Sequence, residues 1–161
     1  MPVAIRIAAA MLFALLLMPL SAFADDIRPV NTGDNGFAIK GMDVVAYFDE
    51  KRPVEGESRY SAAHKGVVYR FASAENRDRF TASPERFAPS YGGYCAFGVL
   101  MGEKVDVDPR QFRFEDGRLL MFFSAGTHSQ WQRKRQTNLA VGDQVWTRIE
   151  NVPQSRLPLK N

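Results

Sequence analysis

Cysteine is all but absent from this chain: Cys95 is the only one in 161 residues. No intramolecular disulfide can form, no Cys-x-x-Cys redox pair exists, and a cysteine-based zinc site has no ligands to draw on. Histidine is almost as scarce. With only His64 and His128 present, a three-histidine catalytic metal centre within one chain is excluded. The chain also lacks G-x-S-x-G, a P-loop, a dinucleotide-binding fingerprint and H-E-x-x-H, which removes the commonest hydrolase, nucleotide-binding and zinc-protease signatures. A dominant charge is missing as well. The 21 basic and 18 acidic residues leave +3, too mild to argue for nucleic acid or an anionic membrane as partner.

Long apolar runs are confined to the start. Arg6 forms a short positive region, Ile7 to Leu20 is almost wholly apolar, and Ala22-Phe23-Ala24 is a small-x-small cleavage site before Asp25-Asp26. The apolar run is shorter than the ~20 residues a membrane span needs. Residues 1–24 therefore read as a secretory signal peptide, which predicts a periplasmic or secreted protein with no transmembrane segment in the mature chain. Its removal would leave 20 basic and 18 acidic residues and ten of the twelve phenylalanines. That is enough for one aromatic-rich core. The expected organisation is a single domain over 25–150 and a loose tail over 151–161. No internal repeat or low-complexity segment is evident.

Local patterns predict an α+β fold of hairpins packed with short helices. The run "GFAIKGMDVVAYF" (36–48) reads as a short strand and a turn. "RYSAAHKGVVYRFAS" (59–73) reads as a β-hairpin turning at His64-Lys65-Gly66. Ser73 is placed to cap a helix over about 74–82, with Glu75 in its first turn, ending before Pro84. Phe80 and Phe87 are assigned to the core. A loop over 89–93 should lead to a helix from about Tyr94 to Gly102. In "QFRFEDGRLLMFF" (111–123), Asp116-Gly117 is a two-residue type I′ turn signal. The C-terminal part predicts two helices, over about 126–138 and 139–150. Trp131 should be buried in the first, with Val141, Val145 and Ile149 on one face of the second.

Charge clusters have simple explanations. Arg133-Lys134-Arg135 reads as a solvated helix face. Asp106, Asp108, Glu115 and Asp116 match no calcium loop, and turn chemistry accounts for them. Around Cys95, the stretch "SYGGYCAFG" (90–98) suggests a small pocket. Tyr91, Tyr94, Cys95 and His64 are the candidate ligand-binding residues, and Cys95, His64 and His128 are weak candidate metal ligands. Cys95 is itself expected to be a buried structural thiol, the alternative being a redox or ligand thiol. No catalytic residue is assigned.

Three segments carry a resemblance: "IKGMDVVAYF", "GVVYRFASAENRDRFTASPERFAPSYGGYCAFG" and "VDPRQFRFEDGRLLMFF". They resemble the exported, stand-alone branch of the YHS domain family, over about residues 31–150. The wider family is similar to small treble-clef-like metal-binding modules that hold a metal with cysteines. Here the corresponding stretches, Val45-Ala46-Tyr47 and Phe71-Ala72-Ser73-Ala74-Glu75, contain none. The resemblance thus implies a treble-clef-like fold and an exported location but not the soft ligand set. Taken together with the export signal, the expectation is a non-catalytic binding or accessory module, with a metal-related role, copper or another transition metal, as its leading specific form. The alternatives are a Cys95-dependent redox or thiol enzyme, or a purely structural domain with a protein partner.

Overall fold

Two antiparallel hairpins organise the chain, and each turns on two residues held at positive φ. The computed structural model describes residues 27–158; the expected signal peptide lies outside them. Strand β1 (Glu57–His64) pairs with β2 (Val67–Phe71), and β3 (Phe112–Glu115) pairs with β4 (Arg118–Met121). The tips are Lys65-Gly66 (φ +50° and +76°) and Asp116-Gly117 (φ +49° and +76°). These angles suit the right-handed twist of the strands, and glycine meets the second of them without steric cost.

The expected strand over 36–48 is not formed. Ala38–Gly41 makes a tight turn in which Ile39 and Lys40 are left-handed, and Val44–Glu50 is helix α1. Its N-cap, Asp43, accepts from the amides of Val45 (2.8 Å) and Ala46 (3.2 Å). That cap outweighs the β-preference of two adjacent valines, both fully buried.

The helices after the first hairpin agree closely with the sequence reading. Helix α2 spans Ala74–Ala82 with Ser73 as N-cap, and α3 spans Pro84–Phe87 with proline in its first turn. Phe80 and Phe87 are buried. Helix α4 is shorter than expected. Ser90–Gly93 forms a second left-handed turn, Tyr94 is extended, and the helix covers only Ala96–Leu100. Helices α5 (Ala125–Gln132) and α6 (Arg135–Ile149) break several residues before the expected boundary. On α6 the buried face is Gly142, Val145 and Ile149, while Val141 is exposed.

A repeat that the sequence does not advertise emerges from this order. Residues 38–82 and 90–132 each run left-handed turn, short helix, hairpin, serine-capped helix. The hydrogen bonds repeat too. Met42 N donates to Ile39 O at 3.1 Å, as Tyr94 N does to Tyr91 O at 3.0 Å. Asp43 N donates to Val54 O at 2.8 Å, as Cys95 N does to Val105 O at 2.9 Å. The two turns meet where Gly93, lacking a side chain, admits the Ile39 side chain: a Cβ on Gly93 would lie 2.1 Å from Ile39 Cδ1.

Two buried clusters lie on opposite sides of β4. Leu119 and Met121 join Ile39, Val45, Phe71 and Phe80, whereas Leu120 and Phe122 join Tyr91, Trp131, Val145 and Ile149. A strand covered on both faces has no polar side, which explains the unbroken apolar run that closes the hairpin. Residues 151–158 include a turn at Gln154–Arg156, and Leu157 packs against the second cluster. The result is a small single domain of mixed α+β type.

Candidate ligand cleft

The hairpin tips and the last turn of α6 border a cleft of about 750 Å³. Lys65 comes from one tip and Asp116, Gly117 and Arg118 from the other. The rest of the lining comes from Glu85, Arg86 and the segment 88–92, and from Pro29, Val30, Trp146, Glu150 and Asn151. This volume falls within the roughly 300–1,000 Å³ of small-molecule sites.

One wall is built around Arg118. Its Nη1 and Nη2 donate to Asp143 Oδ2 (3.0 Å) and Oδ1 (2.8 Å), and its Nε donates to Ser90 Oγ (2.9 Å). Tyr91 Oη donates to the same carboxylate at 3.0 Å. The Arg118 hydrogen bonds hold the Asp143 carboxyl below its ordinary value, against its partial burial. Tyr91 is itself left-handed, at φ +56°, an unusual conformation for a bulky residue. Its side chain is anchored at both ends of that strain: the ring packs among Trp131 and Trp146 and the hydroxyl is tied to Asp143 and to Leu139 O.

Tyr69 also lines the cleft and is 2% exposed. Burial, reinforced by the Glu85 charge, pushes its phenol above the usual value and keeps it protonated. Its hydroxyl makes no hydrogen bond to a described residue. It reaches the cleft rather than a protein partner. Glu85 also contacts Lys65 Nζ at 3.2 Å and His64 Nε2 at 3.4 Å. The histidine contact is not aligned as a hydrogen bond, so Nε2 stays unpartnered.

The sequence candidates are dispersed. Tyr91 lines the cleft. Tyr94 is buried elsewhere, its hydroxyl donating to the carbonyl of Arg28 at 3.1 Å, and it borders a separate cavity of about 140 Å³. His64 lies behind Glu85, edge-on to Phe80 at 5.8 Å. His128 stacks on Phe122 at 4.7 Å and contacts Gln132 at 2.9 Å. Cys95 is 1% exposed, packed in the first cluster, while Phe122 belongs to the cluster across β4. The expected pocket shared by Cys95, Tyr91 and Tyr94 is therefore corrected: only Tyr91 faces the cleft, because Cys95 and its neighbours alternate between two cores. Among the described residues, no group of three or more His, Cys, Asp or Glu side chains is gathered as a metal site. None of the helices is long and apolar enough to cross a membrane, among the same residues.

The sequence reading missed Tyr69, Ser90, Arg118, Asp143 and Trp146. The Arg118–Asp143 pair spans two elements, and no local spacing signals it. Ser90 and Trp146 gave only weak cues, beside the double glycine and one turn before the end of a helix. By fold, the chain is a small α+β domain with an aromatic, donor-rich cleft. No family model, curated protein or solved structure matches it.

Proposed function

We propose that this chain is a non-catalytic binding module of the exported YHS-domain type, and that the cleft between its hairpin tips is its working surface. One observation carries the reading: Tyr69, 2% exposed as a residue, lines the cleft with a hydroxyl that has no hydrogen-bond partner among the described residues. A donor so placed, on an otherwise buried and fixed ring, is held ready to give its proton to a ligand or to water in the cleft. The preorganised Ser90–Arg118–Asp143–Tyr91 network supports the same reading, because such groups fix a ligand's orientation. The signal peptide expected from the sequence and the family resemblance support a periplasmic or secreted setting. Thiol chemistry at Cys95 draws no support from a side chain sealed in the core. The metal-related role draws none from a scattered ligand set.

Native mass spectrometry of the exported protein, released gently from its cell compartment, should show a bound small molecule that is lost on denaturation. Nuclear magnetic resonance with benzoate, benzylamine and phenol should shift the Trp146 indole signal and leave that of Trp131, which is fully buried, in place. Protein without an adduct, together with an unmoved Trp146 signal for all three probes, would refute the proposal.

A further inference from the structure

The cleft is lined by both hydrogen-bond donors and carboxylates. Tyr69 Oη is a free donor. Ser90 Oγ accepts from Arg118 Nε and keeps its own proton to give. Arg118 has five N–H groups, of which three are used on Ser90 and Asp143. These donors suit the oxygens of a carboxylate. The acidic groups differ. Glu85 is engaged with Lys65 and His64, whereas Asp116 and Glu150 make no ion pair with a described residue. Glu150 follows Trp146 by four positions, so both lie on one face of the last turn of α6. An indole beside an unpaired carboxylate is a site for an ammonium group. Lys104 Nζ stands 5.9 Å from the centroid of the same indole but gives its protons to the carbonyls of Glu150 (2.8 Å) and Val152 (3.0 Å). It makes no ion pair with the Glu150 carboxylate and does not line the cleft, so a ligand ammonium would add a cation to a ring that already faces one. Apolar lining comes from Pro29, Val30, Pro89 and the ring of Tyr91.

We infer that the cleft takes a small zwitterion with an apolar body, its carboxylate at Tyr69, Ser90 and Arg118 and its ammonium at Glu150 and Trp146. This is the chemistry shared by a free amino acid and a short peptide. The inference rests on the binding reading above and can fail without it. Lining charges of three acids and three bases fit such a dipolar ligand. A polyanion such as a phosphate ester would meet two unpaired carboxylates.

The test is calorimetry on the full exported chain with four probes: phenylalanine, alanyl-phenylalanine, its N-acetyl form and its C-terminal amide. The free dipeptide or the free amino acid should bind at least tenfold more tightly than either blocked form, and the tighter of the two identifies the source. Glu150→Gln should bring the free dipeptide down to the affinity of the acetylated one and leave the acetylated one unchanged. Tyr69→Phe, which conserves volume, should weaken the carboxylate-bearing probes about three- to tenfold and spare the amide. Blocked and free forms that bind alike, with the Trp146 indole signal still moving, would overturn the zwitterion and leave the cleft as the binding site. Binding of benzoate or benzylamine with none of the four probes would do the same. Silence from every probe would remove both readings together.

Discussion

Replacing Gly92 by alanine tests how the cleft's wall at Pro29 is held. Gly92 is left-handed, at φ +59° and ψ 16°. A Cβ there would lie 1.9 Å from the Pro29 carbonyl oxygen, 3.0 Å from its carbon and 3.2 Å from Trp146 Cη2. The nearest obstacle is backbone, so no rotamer change relieves it. Moving Pro29 away also pulls on the Asn31 N–H bond to Gly92 O at 2.8 Å and on the carbonyls that receive the Tyr94 hydroxyl. Gly117 is the comparison. It too has positive φ, at +76°, but nothing lies within 4 Å of its Cβ position. Gly117→Ala should therefore incur only the conformational term, about 1–2 kcal/mol. Gly92→Ala adds overpacking of about 1–3 kcal/mol and strain on a buried hydrogen bond worth about 1 kcal/mol. The expected total is about 3–6 kcal/mol.

Urea unfolding followed by tryptophan fluorescence measures the difference. At a slope of about 2 kcal/mol per molar, the midpoint should fall by roughly 1.5–3 M for Gly92→Ala and about 0.5–1 M for Gly117→Ala. Equal midpoint shifts, at equal slopes, would show that the close approach of Pro29 does not hold this wall. Gly117→Val adds a β-branch at the same positive φ and should cost about 1–3 kcal/mol.

Cys95, at 1% exposure, should react with a thiol reagent only after denaturant is added; rapid labelling of the folded protein would place the thiol at the surface. His128 is held below its ordinary value by burial, with the Arg113 charge adding to it. A histidine whose folded value is depressed contributes stability that is present above its unfolded value, near 6.5, and is lost as pH falls through the folded one. His128→Gln should therefore flatten the decline in melting temperature below about pH 6.5, and an unchanged slope would count against the burial of the neutral ring on Phe122. In α6, Gly142→Ala improves helix propensity by about 1 kcal/mol but sets a Cβ 2.6 Å from Tyr91 Oη. The variant should be less stable than wild type, and adding Tyr91→Phe should recover part of the loss; a net gain in stability from Gly142→Ala alone would contradict the packing.

The hairpins, their tips and the Ser73 helix were legible because each rests on local chemistry: alternation, Asp-Gly or Lys-Gly turns, a serine cap. The segment around Val44 and Val45 was misread because its decisive contact is Asp43, whose second oxygen accepts from Ala72 N and Asn76 Nδ2, about thirty residues away in the chain. The repeat was hidden for a related reason. The two halves share the residues that set backbone geometry, Gly41 and Gly93, Gly66 and Gly117, Ser73 and Ser124, and differ nearly everywhere else. Within the cleft, Tyr91 was found through its glycine neighbours. Arg118 and Asp143 were not, since an ion pair between a hairpin and a helix leaves no periodic trace.

The repeat gives the lone cysteine a place. Asp43 and Cys95 both hold the N-cap position of the short helix after a left-handed turn, and both donate their N–H to the carbonyl of a valine ahead of the hairpin, Val54 or Val105. In the first half the Asp43 carboxylate is fully buried and accepts four hydrogen bonds, from Val45 N, Ala46 N, Ala72 N and Asn76 Nδ2, at 2.7–3.2 Å. In the second, Cys95 caps nothing with its side chain. Phe123 stands where Ala72 does, and the Thr127 hydroxyl is engaged with Ser124 in a capping box, so the loop before α5 is secured without help from position 95. A thiol is small and apolar enough to fill the space that remains in the first cluster. The same truncation should therefore have different effects in the two halves. Asp43→Ala strands four donors around a buried void and should cost about 3–5 kcal/mol, beyond a simple N-cap loss of about 1 kcal/mol. Cys95→Ala removes one buried sulfur and should cost about 1–2 kcal/mol. Denaturation midpoints of the two variants, measured side by side, decide it. A Cys95→Ala loss as large as that of Asp43→Ala would mean that the sulfur takes part in more than packing.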